Sequence, residues 1–103
     1  MAVPAKMELM AKVFLGRLPV RHEKINGALA LCRADPAVKA NWVELHRLLH
    51  SLADAAGTFG RNDLAEQAGM IELLLADMLK QNARTQADVE EVAQLLAVLQ
   101  STT

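Results

Sequence analysis

Apolar residues recur along this chain at the three- and four-residue spacing of amphipathic helices, in five segments separated by short breaks. Met7, Met10, Phe14 and Leu18 mark the first segment, from about Pro4 to Leu18. Pro4 suits a first-turn position, and Pro19 is expected to end or redirect the helix. Ile25, Leu29 and Cys32 mark a second helix, from about Val20 to Arg33, with Gly27 in its interior and His22 near its stripe as a structural residue. Asp35 and Pro36 read as N-cap and first-turn proline of a third helix, running from Pro36 to about Ala56. Its stripe is Leu45, Leu49, Leu52 and Ala56, with Trp42 at the margin. Gly57 is expected to take the left-handed C-terminal conformation, and Gly60 to allow the tight turn that follows.

Asn62 or Asp63 then caps a fourth helix ending near Lys80, whose inner face is Leu64, Ala68, Ile71, Leu75 and Met78. Thr85 with Asp88 resembles a capping box for the last helix, which shows Val89, Val92, Leu96 and Leu99. Connectors this short favour antiparallel neighbours. The expected fold is all-α: an antiparallel up-down four-helix bundle with an additional N-terminal helix, in one domain over residues 1–103.

Composition narrows the function without naming it. Hydrophobic residues make up 52% of the 103-residue chain and aromatics 3%, so the core must be aliphatic. A net charge of −1 argues against general nucleic-acid binding, which needs a basic stripe. The single Cys32 excludes an internal disulfide and fits the reducing cytoplasm. No apolar run approaches the ~18–20 residues that cross a bilayer. The first twelve residues mix acid and base among apolar side chains and lack a signal-peptide core.

The chemically suggestive residue is His50. At about 100° per residue it lies roughly 140° from the centre of the Leu45–Ala56 stripe, so its imidazole should face water. Ala53 and Gly57 share its face, leaving open space beside it. An exposed imidazole on a rigid helix, free to be approached by a large partner, meets the physical needs of a phosphoryl carrier. His46, four residues earlier, could in principle join His50 at a metal, but no third ligand has a suitable spacing, so no metal and no cofactor are expected.

The stretch from Leu45 to Glu72 also carries a family pattern. It resembles the histidine phosphotransfer (Hpt) domain of bacterial two-component phosphorelays, whose motif is His-x-x-Lys-Gly with a further Gly ten residues after the His. This chain has His50, Gly60 at that offset, Thr58-Phe59 before it, then Leu64, Ala68 and Ile71-Glu72. It departs where the family has Lys and Gly: those positions are Ala53 and Asp54.

The resemblance implies a cytoplasmic carrier rather than an enzyme, with His50 as phosphoryl acceptor and His46, Arg47, Ala53, Asp54, Gly57 and Gly60 around it. It also implies two kinds of partner, a sensor or hybrid histidine kinase and the receiver domain of a response regulator. In that family the acidic residues, the Mg²⁺ and the acceptor aspartate belong to the receiver. Neither nucleic acid nor membrane is expected as a partner, and the chain is expected to be a monomer. Arg47, about 60° round the helix from His50, could replace the cation that Ala53 lacks. Asp54 opposes a phosphoryl group by only ~0.3–0.5 kcal/mol as an exposed pair, but it fills space that glycine would leave for a receiver loop. The alternative is therefore an interaction module that keeps the bundle and sequesters a receiver or kinase without phosphotransfer. An unrelated bundle acting by dimerisation is a third reading.

Overall fold

The apolar stripes read from the sequence converge on one core. In the computed structural model, which describes residues 5–102, four α-helices follow one another: α1 (Ala5–Ala34), α2 (Lys39–Thr58), α3 (Asn62–Lys80) and α4 (Gln86–Ser101). Each packs on its neighbours in sequence and α4 closes against α1, the arrangement of an up-down bundle. Leu45, Leu49, Leu52, Leu75, Val89 and Leu99 are fully buried, and Phe14 stacks on Phe59 with ring centroids 5.5 Å apart.

The additional N-terminal helix does not exist as a separate element. Pro19 lies inside α1, which runs unbroken through both expected segments. Proline in a helix interior costs about 3 kcal/mol, by removing one amide and crowding the preceding turn. Here Phe14 and Leu18 before it and Ile25, Ala28, Leu29 and Cys32 after it are all buried. Packing on both sides of the proline offsets the local cost, and both Leu15 and Pro19 are exposed, so water reaches the unpaired carbonyl. Met7 and Met10, expected on the inner stripe, are exposed, and none of residues 5–13 is buried. The first-turn role expected of Pro4 lies outside the described residues.

The helix ends also differ from the expected ones. Asp35 Oδ1 accepts from the Ala37 amide at 3.1 Å and so closes the turn before α2, whose N-cap position is held by Val38 without a side-chain bond. Trp42 is fully buried rather than marginal, its Nε1 donating to the Pro36 carbonyl at 3.0 Å. Neither Asn62 nor Asp63 caps α3, which begins at Asn62 with Arg61 in the N-cap position. The Thr85–Asp88 capping box is present, as expected. Arg84, in the connector between α3 and α4, is buried and donates from Nη1 to the Gln81 carbonyl at 3.0 Å, closing the end of α3.

Gly57 stays helical, and the left-handed residue is Gly60, at φ +78°. The Arg61 amide donates to Ala56 O at 2.8 Å and the Gly60 amide to Gly57 O at 3.3 Å, the paired bonds of a Schellman motif. That turn reverses the chain and sets the register of α2 on α3. Gly60→Ala should therefore lower stability by about 1–2 kcal/mol, the penalty of a Cβ in the left-handed region. Gly27→Ala should do the opposite, raising it by about 0.5–1 kcal/mol, because Gly27 is helical and a Cβ there meets open space. Urea titration of the two variants checks both signs. Equal effects would remove Gly60 from its role in the turn.

Candidate functional site

Helix α2 buries Leu45, Leu49, Leu52 and Ala56, which fixes the opposite face outward. His50 stands on that outer face with its side chain 64% exposed, as its offset from the stripe requires. Beside it, α3 presents Glu72 from a half-buried position flanking the inner residues Ile71 and Leu75.

The turn at Gly60 brings the two side chains together. In an antiparallel pair folded about Arg61, residues equally distant from it face each other. Gly57 and Ala65 do so, a Cβ on Gly57 standing 3.9 Å from that of Ala65. His50 and Glu72 are likewise equidistant from Arg61, and His50 Nδ1 lies 2.6 Å from Glu72 Oε2. An ionised carboxylate only accepts hydrogen bonds, so Nδ1 carries the proton and donates it. The lone pair of the neutral ring is then on Nε2, free for chemistry on the exposed ring.

The other expected site residues divide around this pair. His46, one turn earlier, places Nε2 4.0 Å from the same Glu72 oxygen, so two imidazoles converge on one carboxylate. Among the described residues no group of three or more His, Cys, Asp or Glu side chains is placed to hold a metal ion. Ala53 is half-buried against the core and offers only a methyl group where the family pattern has a cation. Asp54 is exposed, with no cation at ion-pairing distance from its carboxylate among the described residues. Gly57 allows α2 and α3 to approach closely, and Gly60 makes the turn.

Arg47 is committed elsewhere. Its Nε donates to Glu44 Oε2 at 3.0 Å, and Nη2 also reaches the same carboxylate. The pair raises the guanidinium pKa and lowers that of Glu44, chiefly through the hydrogen bond itself. The nearest cation on the α2 face is thus already paired along its own helix rather than turned to His50.

Glu72 is the residue that sequence reasoning passed over as a site residue. It stood in the family pattern without a role, and the signal that could have found it was its distance from Arg61, matched by that of His50. His22, expected as structural, is half-buried in α1, and burial lowers its pKa. Burial likewise pushes the Cys32 thiol up to about 11, leaving it un-ionised and unreactive at neutral pH. No helix among the described residues is long and apolar enough to cross a membrane.

Comparison with known proteins gives a single assignment. No curated protein and no solved structure matches the chain at a significant level. The family model of the Hpt domain matches residues 9–102, nearly the whole chain and all four helices of the bundle. The chain therefore belongs to the Hpt domain family, whose chemistry is phosphotransfer in two-component signalling.

Proposed function

We infer that this domain is a relay intermediate in which His50 accepts a phosphoryl group from a histidine kinase or a receiver aspartate and passes it to a response regulator. The observation that carries the reading is the hydrogen bond from His50 Nδ1 to Glu72, which leaves the nucleophilic lone pair on Nε2 of an exposed ring. In the acceptance step Nε2 attacks phosphorus, the new P–N bond forms, and the P–O bond to the partner's aspartate breaks. The electron pair leaves on that carboxylate. The Nδ1 proton stays in place, so the ring becomes cationic as it is phosphorylated, facing the Glu72 carboxylate that stabilises it. The carrier needs no further catalytic group, because phosphoryl transfer is served mainly by positioning and by charge on the phosphoryl oxygens. A single cytoplasmic domain acting as a monomer fits this role, and the buried, un-ionised Cys32 suits a reducing compartment.

The test is incubation with phosphorylated receiver domains, followed by assay for phosphate that is acid-labile and alkali-stable. It should appear in the native protein and be absent from His50→Gln. Phosphate retained by His50→Gln would remove His50 from the reaction.

One observation favours a second reading, an interaction module without phosphotransfer: the exposed Asp54 carboxylate beside His50, which has no cation at ion-pairing distance among the described residues. The two readings separate in one comparison. A working carrier should accept phosphate as it stands, and Asp54→Gly should widen the range of receivers that serve it. A decoy should bind receivers without accepting phosphate until Ala53→Lys and Asp54→Gly are made together. Glycine at position 54 costs about 1 kcal/mol of helix stability, which a domain of ordinary stability absorbs. Native protein that binds a receiver yet never becomes phosphorylated would decide for the decoy.

A further inference from the structure

The near-neutral charge of the chain hides a strong separation. Helix α1 carries six basic and two acidic side chains, and α2 two of each. Helix α3 carries four acidic and one basic, and α4 three acidic and none basic. The bundle is therefore positive along α1 and negative along the α3–α4 side.

The positive charge is concentrated where α1 meets α2. A groove of about 470 Å³ runs between them, lined by Arg17, Arg21 and Lys24 of α1 and by Arg47, Leu48 and Ser51 of α2. Arg17 and Arg21 are one turn apart, a like-charge spacing that destabilises a helix unless something offsets it. Among the described residues no carboxylate stands at ion-pairing distance from Arg17, Arg21 or Lys24, although the chain has twelve acidic residues. Arg47 is the one cation of the groove with an acidic partner, Glu44.

The groove is also level with His50. Arg21 Nη1 donates to Ser51 Oγ at 3.3 Å, and its guanidinium sits 5.7 Å from the Phe14 ring centroid. Ser51 is the next residue after His50, so Arg21 is held at the height of the imidazole. In the antiparallel register fixed by that bond, Lys24 falls opposite Leu48 and Arg17 opposite Ala55. The three cations thus run alongside the stretch of α2 that bears His50 and Asp54.

We propose that Arg17, Arg21 and Lys24 form a basic docking strip that selects and orients an acidic receiver domain at His50, supplying from α1 the positive charge that Ala53 does not supply from α2. The proposal rests on the phosphocarrier reading above and names the feature of the partner that the site recognises. The strip spans about 10 Å along the helix. A single phosphate needs donors that converge on one point, whereas cations spread in a row suit a row of carboxylates on a protein surface. A nucleic acid is the poorer fit, since the acidic α3–α4 side repels an extended polyanion. The same charge separation turns the bundle, so that an acidic partner meets the His50 side of α1 first.

The experiment compares Arg17→Gln/Arg21→Gln/Lys24→Gln with a control that loses the same charge elsewhere, Arg33→Gln/Lys39→Gln/Lys80→Gln. Phosphoryl acceptance is timed from a panel of receiver domains phosphorylated with acetyl phosphate, over a range of NaCl concentration. The groove variant should lose about tenfold or more in kcat/KM at low salt, through KM, and most of its salt dependence with it. The control should stay within about twofold. Lys24→Glu, which breaks no ion pair among the described residues, should alone slow acceptance by about threefold and guards against a groove variant that folds poorly. Equal losses in groove variant and control would overturn the proposal, and so would unchanged transfer in the groove variant. Transfer unchanged while binding to anionic phospholipid vesicles is lost would reassign the strip to a membrane surface. A native protein that accepts phosphate from no receiver would instead overturn the carrier reading itself.

Discussion

Glu72→Ala should slow phosphoryl acceptance at His50 by about ten- to a hundred-fold, the size of loss that follows when the carboxylate orienting a metal-ligating histidine is removed, because the same tautomer and ring orientation are at stake. Glu72 holds the proton on Nδ1 across 2.6 Å and faces the charge that the ring gains on phosphorylation. Alanine removes both effects. Glutamine can still accept from Nδ1 through its amide oxygen, so Glu72→Gln should keep the tautomer, lose the charge, and fall between the two. Stability should change little, by about 1 kcal/mol or less, since the pair is largely exposed on the histidine side. Nitrogen NMR of the His50 ring tells the two roles apart. The Nδ1–H form should dominate in the native protein and in Glu72→Gln but not in Glu72→Ala. Unchanged rate together with an unchanged tautomer in Glu72→Ala would reduce Glu72 to a bystander.

The largest expected effect on stability belongs to Trp42→Ala, at about 3–5 kcal/mol. The indole is fully buried, and its Nε1 satisfies the Pro36 carbonyl in the turn that enters α2. Truncation leaves a cavity and an unpaired carbonyl together. Against a total of about 5–15 kcal/mol this is a large share, and the melting temperature should fall by roughly 12 °C or more. Trp42→Phe, which fills most of the volume but donates nothing, should lose markedly less. Thermal denaturation followed by circular dichroism reads both. Equal losses in the two variants would place the whole contribution in the hydrogen bond rather than in packing.

From Phe14 onward the inner faces of the helices were legible in the sequence because burial follows helical period directly, whereas Met7 and Met10 share the period of α1 but lie where nothing packs on it. Leu64, Ala68, Ile71, Leu75 and Met78 fall inward as their spacing requires, and His50 falls outward for the same reason. Pro19 was misread because its local penalty is visible in the sequence and the packing that outweighs it is not. Gly57 and Gly60 were both plausible ends for α2, and only the closing of the turn assigns the left-handed conformation to the second. The chemistry of His50 depends on register between two helices, which no single-helix pattern contains. Glu72 becomes its partner only once the turn about Arg61 is fixed. Arg47 shows the converse: its place near His50 follows from helix geometry, but Glu44 one turn back takes up its charge.

The overhang of α1 gives the domain an uneven resistance to solvent. At 1.5 Å per residue the thirty residues of α1 reach about 45 Å and the twenty of α2 about 30 Å. With no buried side chain before Phe14, the stretch 5–13 is helical by propagation from the packed part, since an isolated helix of that length is marginal in water. Its backbone amides should thus trade their protons for deuterons by local fraying, in the earliest time points of an exchange experiment. From Phe14 onward, exchange should require opening of the bundle itself and slow by orders of magnitude. A deuterium-uptake map should accordingly divide α1 in two at Phe14, inside a helix whose hydrogen-bonded geometry runs on either side of the division.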